Sequence, residues 1–265
     1  MNATEPRRIV LVAMPFGPAI FPALGLSLLK PRLRQAGFEV RVLYGTLQFA
    51  AMLGYDAYDA IAMASASELV GDRVFAAALR GDPEDEAPAQ AALRGPDREL
   101  AAAVALARSL AVPFVESTAD AIVAALPSVV GFTSTFAQHA ASLAVARAVK
   151  ARAPDVAIVF GGANCEGSMG DELARRYPFV DAVVSGEGDD VVVDLVERLT
   201  FEARERPPRV VAAEKAVDVN ALPLPDFGDF FDELARVDPE CALPRSIMVE
   251  SSRGCWWGAK HHYTF

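Results

Sequence analysis

A cysteine, two tryptophans and two histidines stand together in CWWGAKHHYTF, residues 255–265. A thiol and imidazoles are metal-ligand chemistry, and by type Cys255, His261 and His262 suit zinc. The spacing argues otherwise. C-x5-HH has no second paired ligand set, and adjacent histidines on a strand point to opposite faces. Trp256 and Trp257 read as apolar packing, because a base-stacking platform would sit in a more basic chain.

A second set of residues suits ligand binding without charge. MPFGPAIFPALG (14–25) is a proline and glycine loop that carries Pro22, Leu24 and Gly25 into a helix. Ser134 and Thr135 end another apolar run. Gly161, Gly162 and Asn164 lie in GGAN, and Gly186 and Glu187 lie in SGEG. Glycines let a large flat ligand approach the backbone closely. The hydroxyls and the Asn164 amide offer neutral hydrogen bonds. Glycines after strands also serve ordinary tight turns, but several such loops on one edge favour a ligand. GGANCEG lacks the GxGxxG spacing, and no GxxxxGK[ST] occurs, so a nucleotide is a weaker expectation than another large cofactor.

These loops need a sheet to bring them together. RRIVLVAMP (7–15) reads as a buried strand, FPALGLSLLKPRLRQAGF (21–38) as a helix closing at Gly37 with Pro31 as a kink, and EVRVLYG (39–45) as a second strand. Residues 46–126 break the rhythm. Helical patterns at 66–80, 97–111 and 117–125 flank the acidic loop GDPEDEAPAQ (81–90), and together they read as a helical insertion. Three further strand–helix units follow, with strands in 128–135, 155–167 and 180–190 and the last helix at 191–200. Short βα loops predict a parallel sheet with helices on both faces. Five strands counted this way give an α/β, flavodoxin-like (Rossmann-like) fold, with its ligand crevice at the carboxyl ends of the strands. Residues 201–245 are rich in proline and turns and read as a linker. PRSIMVESSRGC (244–255) reads as one more strand.

Composition narrows the classes. Hydrophobic residues make up 52% and charged residues 23%, so the chain is globular. The net charge of −10 argues against nucleic acid and anionic lipid as partners. No signal peptide and no stretch of about twenty uncharged apolar residues is evident. Three cysteines, Cys165, Cys241 and Cys255, are too scattered for a disulfide framework. The expectation is a soluble, cytoplasmic protein. His139, in FAQHA at a helix start, reads as a cap or surface residue.

PFGPAIFPALGLSLLKPRLRQAGFEV, VVGFTSTFAQHAASLAVARAVK, VFGGANCEG and AVVSGEGDDVVVDL together resemble the cobalamin-binding domain of B12-dependent radical S-adenosylmethionine enzymes. SRGCWWGAKHHYTF resembles the cluster motif, C-x7-C-x2-C, of the members that mature ribosomally made peptides, among them peptide C-methyltransferases. The resemblance implies a cobalamin-binding domain over 1–200, including the 46–126 insertion, then a linker over 201–245. Residues 246–265 would be the start of a radical S-adenosylmethionine domain, its first barrel strand without the rest of the barrel.

By the same resemblance, Pro22, Leu24 and Gly25 face the corrin. Ser134, Thr135, Gly161, Gly162 and Asn164 surround its nucleotide tail, with Gly186 and Glu187 nearby. No DxHxxG stretch supplies a lower cobalt ligand. Cys255 matches the first cluster cysteine, Tyr263 stands at the second, and the third would be residue 266. A lone thiolate does not hold a [4Fe–4S] cluster, so the cluster and S-adenosylmethionine belong to a full-length parent. In that parent methylcobalamin is the methyl carrier and a precursor peptide the substrate. The rival expectations are a stand-alone cobalamin-binding or vestigial module without catalysis, and a flavodoxin-like domain for another ligand such as a flavin. Trp256, Trp257, Tyr263 and Phe265 would form an apolar end suited to a partner chain.

Overall fold

The computed structural model describes residues 7–81, 98–201, 204–213, 218–240 and 243–253. Its centre is a parallel sheet of β1 (Arg8–Ala13), β2 (Glu39–Tyr44), β3 (Val129–Thr133), β4 (Ala157–Gly161), β5 (Ala182–Ser185) and β6 (Val210–Ala212). The spatial order is β2-β1-β3-β4-β5-β6. All five pairings are parallel. The central strands are near-continuous apolar runs buried on both sides, as a covered parallel sheet requires. The chain reverses direction across the sheet between β1 and β3, and the crevice of an open α/β sheet lies at that switch.

The five expected strands are present, and the count of five is corrected to six. β6 comes from the segment read as a linker. That segment also holds helix α9 (Gly228–Val237), with Phe230 and Leu234 fully buried. Three residues suffice for β6 because it only extends an existing ladder, and so short a run leaves little sequence pattern. The strand expected after residue 244 is absent among the described residues, since 244–253 make no ladder pairing.

Helix α1 (Leu24–Gln35) ends in a Schellman motif. Gly37 at φ +91° lets the Phe38 amide donate to Leu33 at 3.2 Å and its own amide to Arg34 at 3.0 Å. Pro31 lies inside the helix and has no amide to give to Ser27. The freed Ser27 carbonyl accepts the Asp226 amide at 2.8 Å instead, so the break is used to anchor the chain just before α9. On the sheet edge, the Val42 amide donates to the Asp229 carboxylate at 2.6 Å, which occupies an edge donor that would otherwise seek another strand.

The insertion contains α2 (Gly45–Leu53), α3 (Tyr55–Ala62), α4 (Val70–Arg80) and α5 (Arg98–Ala124). The patterns at 97–111 and 117–125 are thus one helix of 27 residues that runs through Pro113. Packing on α6 (His139–Arg152) and on α2 to α4 outweighs the lost amide. Among the described residues α5 alone is long and apolar enough to cross a membrane. Here Ala107, Phe114, Ala119 and Ile122 are core, and Glu116 and Asp120 pair with Arg152 of α6. Helices α7 (Ser168–Arg176) and α8 (Val192–Thr200) follow β4 and β5.

Candidate functional site

A cavity of about 190 Å³ lies between the sheet and helices α1 and α8. Its walls are apolar: Leu26, Leu29 and Leu33 of α1 face Val192 and Val196 of α8. Its floor is formed on four strands, with Leu11, Gly131, Val159 and Val184 among its residues. Gly131 is decisive there. A Cβ at that position would stand 3.0 Å from Leu11 Cδ2, and a larger side chain would fill the space. A glycine in mid-strand is also the sequence signal for close approach of another group. Four of the expected glycines, Gly25, Gly161, Gly162 and Gly186, line this cavity, with Thr133, Gly188 and Asp189. Apart from Gly25 at the start of α1, these residues end β3, β4 and β5 or follow them, so this end of the cavity lies at the carboxyl edge of the sheet.

The other expected residues do different work. Ser134 is fully buried, and its hydroxyl is engaged within the protein. Asn164 Nδ2 donates to Ser134 Oγ at 3.0 Å and to the Phe136 carbonyl at 2.8 Å. Ser134 Oγ lies 3.0 Å from His139 Nδ1. The Ser134 hydroxyl has one proton and two lone pairs, so it accepts from the Asn164 amide and still pairs with His139 Nδ1, as donor or acceptor according to the ring tautomer. Burial lowers the His139 pKa from its ordinary value and keeps the ring neutral. His139 is therefore the end of a fixed relay, which corrects its reading as a cap or surface residue. Gly162 closes the same joint. It sits at φ +97°, and a Cβ there would be 2.6 Å from the Ser134 carbonyl. Thr135 heads the turn at 136–138, where its amide donates to Gln138 Oε1 at 3.1 Å. Ser134, Thr135 and Asn164 thus hold the β3 and β4 loops together and do not line the cavity.

Pro22 and Leu24 are likewise not in the cavity wall; Pro22 is buried and Leu24 half-buried. The Glu187 carboxylate lies 3.5 Å from Arg253 Nη1. Asp189, 7% exposed, is the acidic residue of the lining, and it accepts from Arg253 Nη1 at 2.8 Å. Neither Asp189 nor Arg253 was singled out by sequence. DD in SGEGDD gave no reason to prefer one carboxylate, and the partner lies 64 residues away.

Beside the His139 relay runs a wider groove of about 750 Å³ between α4, α6 and α7. Leu69, Phe136 and Met169 stand exposed around it, Phe136 at φ +49°. Among the described residues no group of three or more His, Cys, Asp or Glu side chains is placed to hold a metal. Cys255, His261, His262 and Tyr263, on which the cluster and zinc readings turn, lie outside the described residues, as does Cys241.

No protein-family model matches the chain, and no curated protein matches it. What fold and site define is a class: a parallel α/β domain, compatible with a Rossmann-like fold, with an apolar slot at the carboxyl edge of its sheet.

Proposed function

We infer that this chain is the cobalamin-holding part of a radical S-adenosylmethionine peptide-maturation C-methyltransferase. The observation that carries the reading is the glycine-floored cavity between β1, β3, β4, β5 and helices α1 and α8. At about 190 Å³ it is smaller than the pockets that enclose a whole drug-sized ligand. It suits one flat, apolar group of a larger molecule, with the remainder lying outside over the strand ends. Cobalamin has that form: a broad macrocycle and a heteroaromatic base on a tail.

The residues present fit such a group. Gly131 leaves the space that a side chain would fill, and Val159 and Val184 give it an apolar bed. Gly161, Gly162 and Gly186 keep the edge low, so a macrocycle can approach backbone there. The relay from Asn164 through Ser134 to His139 fixes the β3 and β4 loops on which two of those glycines stand. The Asp189 charge is met by Arg253, which keeps the mouth from carrying an uncompensated carboxylate. Bound methylcobalamin would supply a transferable methyl group, and the protein would bind, orient and shield it. The same reading brings a precursor peptide as partner, a cytoplasmic setting, and a [4Fe–4S] cluster with S-adenosylmethionine in a full-length parent.

The test is retention of the cofactor. The chain is mixed with hydroxocobalamin, passed through gel filtration, and its visible spectrum recorded. Corrin bands are expected to co-elute with the protein and to be lost in Val159→Phe, which fills the slot, with the circular dichroism unchanged. A wild-type chain that elutes without corrin bands overturns the reading.

A further inference from the structure

Arg253 joins two parts of the chain that have no ladder between them. Its Nε and Nη2 reach the two carboxylate oxygens of Glu250 at 2.9 and 2.8 Å. Its Nη1 reaches Asp189 at 2.8 Å and Glu187 at 3.5 Å. The Arg253 side chain is only 20% exposed. One fork thus grips the segment around 250, and the remaining nitrogen grips the loop between β5 and α8. Planar, bidentate pairing of this kind fixes orientation as well as proximity.

Asp189 is what makes the contact consequential. It lines the cavity next to Gly188, one turn before Val192, which also lines it. A nearly buried carboxylate at the mouth of an apolar slot is costly when its counter-charge leaves. Without Arg253 the carboxylate must turn outward or draw water and cations to the mouth, and the loop that carries it moves too. The position of residues 246–253 and the shape of the cavity mouth therefore share one ion pair.

We propose that Arg253 is a positioning residue that couples the cavity to the chain downstream of it: a ligand in the cavity and a docked 246–253 segment stabilise each other through the Arg253–Asp189 pair. The coupling rests on the cobalamin reading for the identity of the ligand. Its logic is reciprocal, since a ligand that favours the docked segment is favoured by it to the same degree. Functionally, it would place whatever follows residue 253 in a fixed relation to the bound cofactor.

The experiment uses the full chain and hydroxocobalamin as the probe. Hydrogen exchange is followed over 246–253 with and without the corrin, and affinity is measured by absorbance titration. Wild type is compared with Asp189→Asn, Arg253→Gln, the double variant, and Arg175→Gln as a control for an exposed helical pair. The expected result is slower exchange of 246–253 on corrin binding in wild type. Both single variants lose that slowing and bind about 5- to 50-fold more weakly, within the usual span of site coupling. The double variant is no weaker than either single one, and Arg175→Gln behaves as wild type. If wild type binds the corrin while exchange over 246–253 is unchanged, or if either single variant binds as wild type does, the coupling is overturned and the cobalamin reading stands. If wild type binds no corrin, the cobalamin reading is overturned and the coupling with it.

Discussion

Lys30 Nζ lies 2.9 Å from the Asp229 carboxylate oxygen, and that same oxygen accepts the Val42 amide. A second carboxylate, Asp226, stands 3.0 Å from Lys30. The lysine is 2% exposed, so one buried ammonium holds α1, α9 and the edge strand β2 together. Arg34, a turn further along α1, adds a bond to Asp226 at 2.8 Å. This is how a segment that reads as a linker becomes part of the domain: its helix is fixed by charge as well as by Phe230 against Tyr44.

Removing that ammonium should cost stability. Lys30→Met keeps the aliphatic length but leaves two neighbouring carboxylates without their shared cation. Both retain contact with solvent, so the loss should fall near the lower end for a broken buried pair, about 3 kcal/mol. A urea titration of Lys30→Met against wild type measures it, and a midpoint unchanged from wild type contradicts the role.

The same cluster gives the chain an acid limit. Burial alone would raise the Asp226 pKa, but the Gly228 amide, Lys30 and Arg34 outweigh it and hold the carboxyl below its ordinary value. A depressed native pKa gives stability that is fully present above the unfolded value, about 3.9. It is lost as pH falls from there through the native value. Thermal melts between pH 5 and 2 should therefore show a decline that is shallower in Asp226→Asn than in wild type.

Much of this framework is legible in the sequence, and most of the misses share a cause. Apolar runs closed by proline, glycine or hydroxyl residues located β1 to β5 and the loops at their ends, because a parallel strand covered on both faces is apolar and must stop at a turn. The cavity floor at Gly131 carried a signal too, as a glycine in the middle of an apolar run. Ser134 and Asn164 were correctly placed at the strand ends, but their partners decide their role. A hydroxyl at a loop reads the same whether it faces a ligand or, as here, a histidine five residues on. β6 and the Arg253–Asp189 pair depend on contacts between distant segments, whereas α9 does carry a local signal, Phe230, Leu234 and Val237 at helical spacing, inside a stretch otherwise rich in turns. The patterns at 97–111 and 117–125 read as two helices because local propensity around Pro113 cannot register the helices that pack on α5.

His139 should behave as a neutral imidazole. Burial lowers its native pKa below the unfolded value of about 6.5. The unfolded chain then binds the proton first, so stability is fully present above about pH 6.5 and declines as pH falls through the native pKa. Nitrogen-15 spectra at pH 7 should show a neutral ring with a single protonated nitrogen. Ser134→Ala removes the partner of Nδ1 and should cost about 1–2 kcal/mol, as a buried polar group left unmet does. A His139 that titrates at or above 6.5 contradicts the relay.

Cys165 should be silent toward thiol reagents in the native protein. It is fully buried, and burial pushes its thiol pKa up to about 12, so almost no thiolate is present at neutral pH. Brief alkylation of the folded chain followed by peptide mapping should find Cys165 unmodified, and alkylation in denaturant should modify it. Rapid native labelling at Cys165 would show that the β4 loop opens.

Gly162 sets the joint between the two loops, and its replacement separates backbone need from ligand need. Its φ of +97° belongs to a region that side-chain-bearing residues rarely adopt. A methyl group there also meets the Ser134 carbonyl at 2.6 Å, and that carbonyl already accepts the Asn164 amide at 3.1 Å. The carbonyl cannot retreat without breaking that bond, so strain and clash add. Gly162→Ala should lose about 3 kcal/mol in urea titration. Gly25→Ala is the contrast. Gly25 also lines the cavity, but a Cβ there meets nothing within 4 Å, and it lies in α1, where alanine is the better helix former. It should keep wild-type stability or gain slightly. Equal losses in the two variants would mean that the glycines serve something other than this joint.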